Sequence, residues 1–189
     1  MAQSSNDVMP TVTRLAARSL VERLLPERAS LDKALRAKAR EFDSVVKAGR
    51  THLQDAVPMR LGQEFSGYAG AVRSGRGRIQ HAARALREIG LGATAVGTGI
   101  NAHPDFRVKV VERLNALTGW ELRPAEDLFE TQQSLAAFAE LSSALKVLAL
   151  ELIRIANDLR LLSSGPNTGL FEINLPAVMP GSSIMPGKV

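Results

Sequence analysis

From Phe138 onward, Leu141, Leu145, Leu148, Leu152, Ile155, Leu159 and Leu162 follow one another in alternating steps of three and four residues, the spacing of a single helical seam. Val147, Leu150 and Ile153 form a second apolar set off that seam. A helix apolar on more than one side is buried on more than one side. The pattern predicts one helix opened by Pro124 and running to about Ser163, roughly 60 Å at the usual rise per residue. A domain of 189 residues does not wrap that length by itself, so the prediction is a long bundle and an oligomer.

Upstream, Ser5-Asn6-Asp7 is an N-cap cluster for a helix to about Leu25, with Pro10 in its first turns. A second helix is predicted from about Ser30 to Ala48, with Leu31, Leu35, Phe42 and Val45 on one face and Gly49 as its stop. Residues 50–61 contain Pro58, show no helical period and read as a loop. A third helix is predicted over about Gly62 to Ile89, striped by Phe65, Tyr68, Val72, Ile79, Ala82, Leu86 and Ile89. Its Gly67, Gly70, Gly75 and Gly77 each cost up to about 1 kcal/mol in a helix, which predicts close packing against a neighbour. Residues 90–102 are Gly-rich and read as a loop, and a shorter helix follows over about Pro104 to Leu117. The tail from Gly165 to Val189 carries Pro166, Pro176, Pro180 and Pro186 and is expected to hold short strands at most. The organisation is thus all-α, a long-helix bundle over residues 1–164 followed by a Gly/Pro-rich loop over 165–189.

Composition narrows the chemistry. Aromatic residues are 4% of the chain, so the core rests on Leu, Ile, Val and Ala. There is no cysteine, which excludes disulfides, thiol nucleophiles and Cys-ligated zinc and fits a reducing, cytoplasmic setting. Val147 to Ile153, the most apolar stretch, contains Glu151, so no membrane span is expected. The net charge of +5 is compatible with anionic ligands. The Arg73–Arg87 stripe lacks aromatic interleaving and base-reading motifs, which argues against nucleic acid.

Three polar clusters lie off the seams. Gln3-Ser4-Ser5-Asn6 offers hydroxyls, a carboxamide and free amides at a helix start, a setting that suits a carboxylate ligand, although taken alone it reads as an ordinary cap. His52, within Arg50-Thr51-His52-Leu53-Gln54-Asp55, has the pKa range of a general acid or base, although a lone loop histidine is more often a surface residue. His81 and His103 show no ligand-like pairing, so no metal is expected. Gly181-Ser182-Ser183-Ile184-Met185-Pro186-Gly187-Lys188 puts two serines and a lysine in a loop of the composition used for linkers and for active-site lids.

Together, Gln3 to Asp7, Gly49 to Ala56, Gly97-Thr98-Gly99-Ile100-Asn101 and Gly181 to Lys188 resemble the aspartase/fumarase superfamily in order and rough spacing. The resemblance covers essentially the whole chain and is most specific in the last segment. It implies reversible anti-elimination to fumarate, with a tetramer building each active site from three subunits, a small dicarboxylate as ligand and no cofactor. It also implies that Ser182 is the base on a mobile loop and that Lys188 binds a substrate carboxylate. His52 and Thr51 would lie in the substrate pocket, Ser4, Ser5 and Asn6 would bind carboxylate, and Ser183 would add a hydroxyl and an amide. A serine needs nearby cations and N–H donors to act as an alkoxide.

The family's proteins are more than twice as long, so the sequence reads as a truncated central part, inactive alone, lacking an upstream substrate-binding segment and the asparagine expected after Val189. Asn167 stands where relatives usually have arginine. Leu159 to Ser164, Gly92-Ala93-Thr94 and Glu172 to Pro176 look aspartase-like, whereas Phe65 to Ala69 and His103-Pro104 look fumarase-like. The expectation leans to an aspartate ammonia-lyase, with fumarate hydratase as the alternative and a catalytically incompetent bundle as a third reading.

Overall fold

The computed structural model describes residues 3–182 and 184–188, and the side chains of these apart from 180, 182 and 185–188. The chain divides into two compact units, Met1–Lys146 and Val147–Val189.

The first unit opens on α1, Ser5–Glu41, a single helix of 37 residues where the sequence predicted two. Ser4 caps it: its side chain accepts from the Asn6 amide at 3.1 Å, and Asp7 Oδ1 reaches back to the Ser4 amide at 3.1 Å, a capping box. The sequence reading stopped at Pro26 because an interior proline removes a backbone bond and costs about 3 kcal/mol. Packing overrides that cost. Asp7, Thr11, Arg14, Val21, Arg28 and Leu35 are buried along one heptad-spaced face that runs straight through Pro26, so the same neighbour is engaged on both sides of the proline.

The predicted extension of helix to Ala48 and the loop after it are both replaced by a hairpin. β1, Val46–Thr51, pairs antiparallel with β2, Gln54–Arg60, through a two-residue turn at His52 and Leu53. Those residues have φ of 49° and 61°, the doubly left-handed geometry that matches strand twist in tight hairpins. Pro58 had argued against a strand, but it sits opposite Ala48 beside an irregularity between Ala48 and Arg50, where a missing donor is tolerated.

α2, Leu61–Ala82, packs along α1 and is followed by a short 3-10 turn, so it ends earlier than the predicted Ile89. Phe65, Tyr68, Val72, Ile79 and Ala82 are buried as the stripe predicts. The glycine expectation holds only in part: Gly75 is buried. A Cβ at Gly67, Gly70 or Gly77 would meet nothing within 4 Å in this chain. The close approach is instead at Gly62, where a Cβ would fall 2.3 Å from the Ala39 carbonyl oxygen.

β3, Glu88–Ile89, pairs parallel with β4, Arg123–Pro124, and between them lies α3, Phe106–Thr118. α3 stops at Gly119, φ 70°. Ile89, Val111 and Leu122 form a core against Leu15, Val110, Leu114 and Trp120. Pro124 does not open the long helix. Asp127 instead caps a six-residue helix, α4, Leu128–Gln133, and Ser134 is extended at ψ 132°. The long helix, α5, is Ala136–Leu162, 27 residues and about 40 Å, shorter than predicted.

In the second unit the C-terminal part of α5 buries Leu148, Ile155 and Leu162 and leaves Leu150, Ile153 and Leu161 exposed. The Leu162 and Ser164 carbonyls accept from the Glu172 and Phe171 amides, both at 2.8 Å. β5, Met179–Ser182, and β6, Met185–Lys188, form a final antiparallel hairpin. The helical reading of the fold holds, and among the described residues every sheet is two-stranded.

Candidate functional site

The start of α1 is the best-built polar region among the described residues. Asp7 is 1% exposed. Its Oδ2 accepts from the amides of Gly92 at 3.0 Å and Thr94 at 2.9 Å, while Oδ1 holds Ser4. One carboxylate thus fastens the Gly-rich segment to the helix N-terminus through three charge-assisted bonds. That segment needs left-handed backbone at Gly92, φ 98°, and at Thr94, φ 61°. Asn6 Nδ2 donates to the Ala95 carbonyl at 2.8 Å, and Gln132 Nε2 donates to the Thr94 carbonyl at 2.8 Å. Ser5, Asn6, Met9, Pro10, Ala95 and Gln132 line a cleft of about 430 Å³ here.

Of the predicted carboxylate binders, Ser4 uses its hydroxyl oxygen to accept from the Asn6 amide as the helix cap and keeps its hydroxyl hydrogen. Ser5 and Asn6 are exposed at the cleft. Sequence reasoning named Asp7 only as a possible cap and did not name Gln132. The signal for Asp7 was an acid at the third helical position after a serine cap. Gln132 had no local signal, since its role depends on a partner 38 positions away.

Further along α1, Arg14 is 4% exposed and its guanidinium lies 5.4 Å from the Phe138 ring centroid. Burial lowers its pKa, against the opposing fields of Glu130 and Glu88.

Thr51 and His52 stand exposed at the tip of the β1–β2 hairpin. α1, at 37 residues, is roughly 55 Å long. Ten residues from Glu41 to Thr51 reach back at most about 35 Å. Asn6 and His52 therefore do not meet within one copy of this chain. In the second unit Ser182 ends β5 and Lys188 ends β6, with Ser182 opposite Met185 and Met179 opposite Lys188. Gly181, φ 71°, supplies left-handed backbone just before Ser182. Ser183 lies outside the described residues. Asn167 is exposed between Ser164 and Leu170. Among the described residues no three His, Asp or Glu side chains group as metal ligands, and no helix is long and apolar enough to cross a membrane.

A helical bundle with a polar cleft at a helix start and a serine-bearing hairpin defines a class. Over residues 1–189 the chain matches the family model described as "Lyase" and belongs to that family, the aspartase/fumarase superfamily. It is 49% identical over 189 residues to an aspartate ammonia-lyase of Bacillus subtilis, covering 100% of this chain and 40% of that protein. It is 53% identical over 191 residues to a class II fumarate hydratase of Mycobacterium tuberculosis, again covering 100% of this chain and 40% of that protein. Among solved structures it is similar to a fumarate lyase:delta crystallin from Brucella melitensis bound to cobalt, with a TM-score of 0.90 and 48% identity, over 100% of this chain and 41% of that one. It is also similar to a class II fumarase from Schistosoma mansoni, with a TM-score of 0.87 and 39% identity, over 100% and 43%. The chain spans about 40% of the length of the curated relatives it matches.

Proposed function

We propose that the protein containing this chain is a lyase that eliminates ammonia from L-aspartate to give fumarate, reversibly and with anti geometry. The carrying observation is the α1 cleft. It presents the Ser5 amide, which has no partner among the described residues, and the Asn6 carboxamide held by Ala95 at 2.8 Å, both at the positive end of a 37-residue helix. That is a carboxylate seat. The substrate brings two carboxylates, and a third negative charge develops on the aci-carboxylate as the proton leaves, so donors fixed before reaction lower the barrier.

In this reading Ser182 takes the proton, Lys188 and Ser183 hold the second carboxylate, and Thr51 and His52 complete the pocket from another copy in a homotetramer. The separation of Asn6 from His52 within one chain supports shared sites. A hydratase acting on L-malate is the second reading, favoured by 53% identity to the fumarate hydratase of M. tuberculosis. Ultraviolet detection of fumarate from L-aspartate and from L-malate separates the two. Fumarate from malate alone rejects the ammonia-lyase reading, and fumarate from neither rejects both.

A further inference from the structure

The α1 cleft holds acceptors as well as donors, and two carboxylates leave the acceptors unused. Gln132, half-buried at the end of α4, lines the cleft beside Ser5 and Asn6. Its Nε2 donates to the Thr94 carbonyl at 2.8 Å. A carbonyl oxygen only accepts, so this bond fixes which end of the amide is nitrogen and which is oxygen. Gln132 Oε1 has no partner among the described residues and is not sealed from solvent. A main-chain acceptor lies on the same cleft. Pro10 has no N–H, so the Asn6 carbonyl four residues earlier lacks the donor an α-helix would give it. Asn6, Pro10 and Gln132 thus bring two acceptor oxygens to one cleft.

The residue that anchors Gln132 is itself strained. Thr94 is β-branched, yet its φ is 61°, a conformation that persists only where the surroundings over-determine it and that gathers at ligand clamps. Two side chains hold it there: Asp7 Oδ2 takes its amide at 2.9 Å, and Gln132 Nε2 takes its carbonyl. The Gln132 amide is therefore placed before any ligand arrives. A ligand that covered the cleft with carboxylates alone would leave Oε1 and the Asn6 carbonyl dehydrated and unpaired, which is costly. A hydroxyl has one hydrogen to donate and satisfies one of them. An ammonium has three and satisfies both.

We propose that Gln132 Oε1, together with the Asn6 main-chain carbonyl, receives the ammonium group of the substrate, and that Gln132 thereby selects an amine over a hydroxyl at this site. A polar group placed to pair with a substrate N–H discriminates against an analogue that cannot complete the pairing. This role rests on the ammonia-lyase reading above and adds to it a residue that reads the leaving group, where the Ser5 amide and the Asn6 carboxamide read a carboxylate.

Steady-state kinetics of the full-length protein that contains this chain test the role. The KM for L-aspartate is set against the inhibition constant of succinate, a dicarboxylate of the same chain length with no amine. Gln132→Leu removes the acceptor. It should raise the KM about tenfold or more, as loss of a hydrogen bond to a charged group does, and leave succinate inhibition within about threefold. Gln132→Lys keeps a donor for the Thr94 carbonyl and puts a cation where the oxygen was. It should weaken aspartate further, while succinate binds as well as before or better. Equal weakening of aspartate and succinate would mean that the side chain only props the 94–95 turn, and would overturn the proposal. So would unchanged constants for both ligands. Failure of the ammonia-lyase reading shows separately, in the unmodified protein, as no fumarate from L-aspartate, and it would overturn the ammonium assignment as well.

Discussion

The two ends of α1 carry two of the predicted site segments, and they are built in opposite ways. At the N-terminus, Asp7, Asn6 and Gln132 are tied to backbone groups of residues 92–95 by bonds spanning 38 to 89 positions of sequence. Beyond the C-terminus, Thr51 and His52 stand on a hairpin whose turn is set by its own two residues, and neither side chain has a long-range partner among the described residues. One end is preorganised by the rest of its unit, and the other is exposed and held by its own turn. The contrast separates residues that hold a site together from residues that only visit it.

Asp7→Ala is the largest lever on this contrast. It strips three backbone amides of their acceptor, those of Gly92 and Thr94 in a buried setting and that of Ser4 in a half-buried one. Each unsatisfied amide costs about 1–3 kcal/mol, so a loss of about 3 kcal/mol or more is expected in chemical denaturation, with the Gly92 and Thr94 amides exchanging first. Thr51→Ala at the other end should stay within about 0.5 kcal/mol. Equal losses at the two ends would erase the distinction between them.

Gln132→Ala comes next. It removes one bond to the Thr94 carbonyl at 2.8 Å, worth about 1 kcal/mol, and it opens one wall of the cleft. The expected outcome is a small stability loss and a raised KM for the lyase substrate with kcat less affected. An unchanged KM would take Gln132 out of the cleft's function.

Much of this was legible in the sequence, and the illegible parts share a cause. The buried face of α2 and the Leu148–Ile155–Leu162 seam of α5 follow from period alone, because each lies within one element. The unbroken α1 was not legible. Proline acts locally, whereas the buried stripe from Val21 through Arg28 to Leu35 that carries the helix past Pro26 is satisfied by α2. The hairpin at 46–60 was hidden for the same reason: His52 and Leu53 lack the Asn-Gly signature, yet both adopt positive φ. At the candidate site the capping chemistry of Ser4 was readable, whereas the anchoring of residues 92–95 by Asp7 and Gln132 was not, since nothing near Asp7 in sequence announces Gly92.

The hairpin turn offers the smallest structural effect. His52 and Leu53 hold φ of 49° and 61°, and non-glycine residues in left-handed backbone are strained. His52→Asn with Leu53→Gly supplies the pair that this turn type favours. Relief of that strain should raise stability by up to about 1 kcal/mol, seen as a higher denaturation midpoint with an unchanged slope. If His52 works in the elimination, the same variant should lose about 100-fold in kcat or more, so stability and turnover move in opposite directions. A variant that is stabilised and fully active would show that the hairpin tip contributes a turn and no chemistry. The built end of α1 would then be this chain's contribution from its first unit to the proposed site.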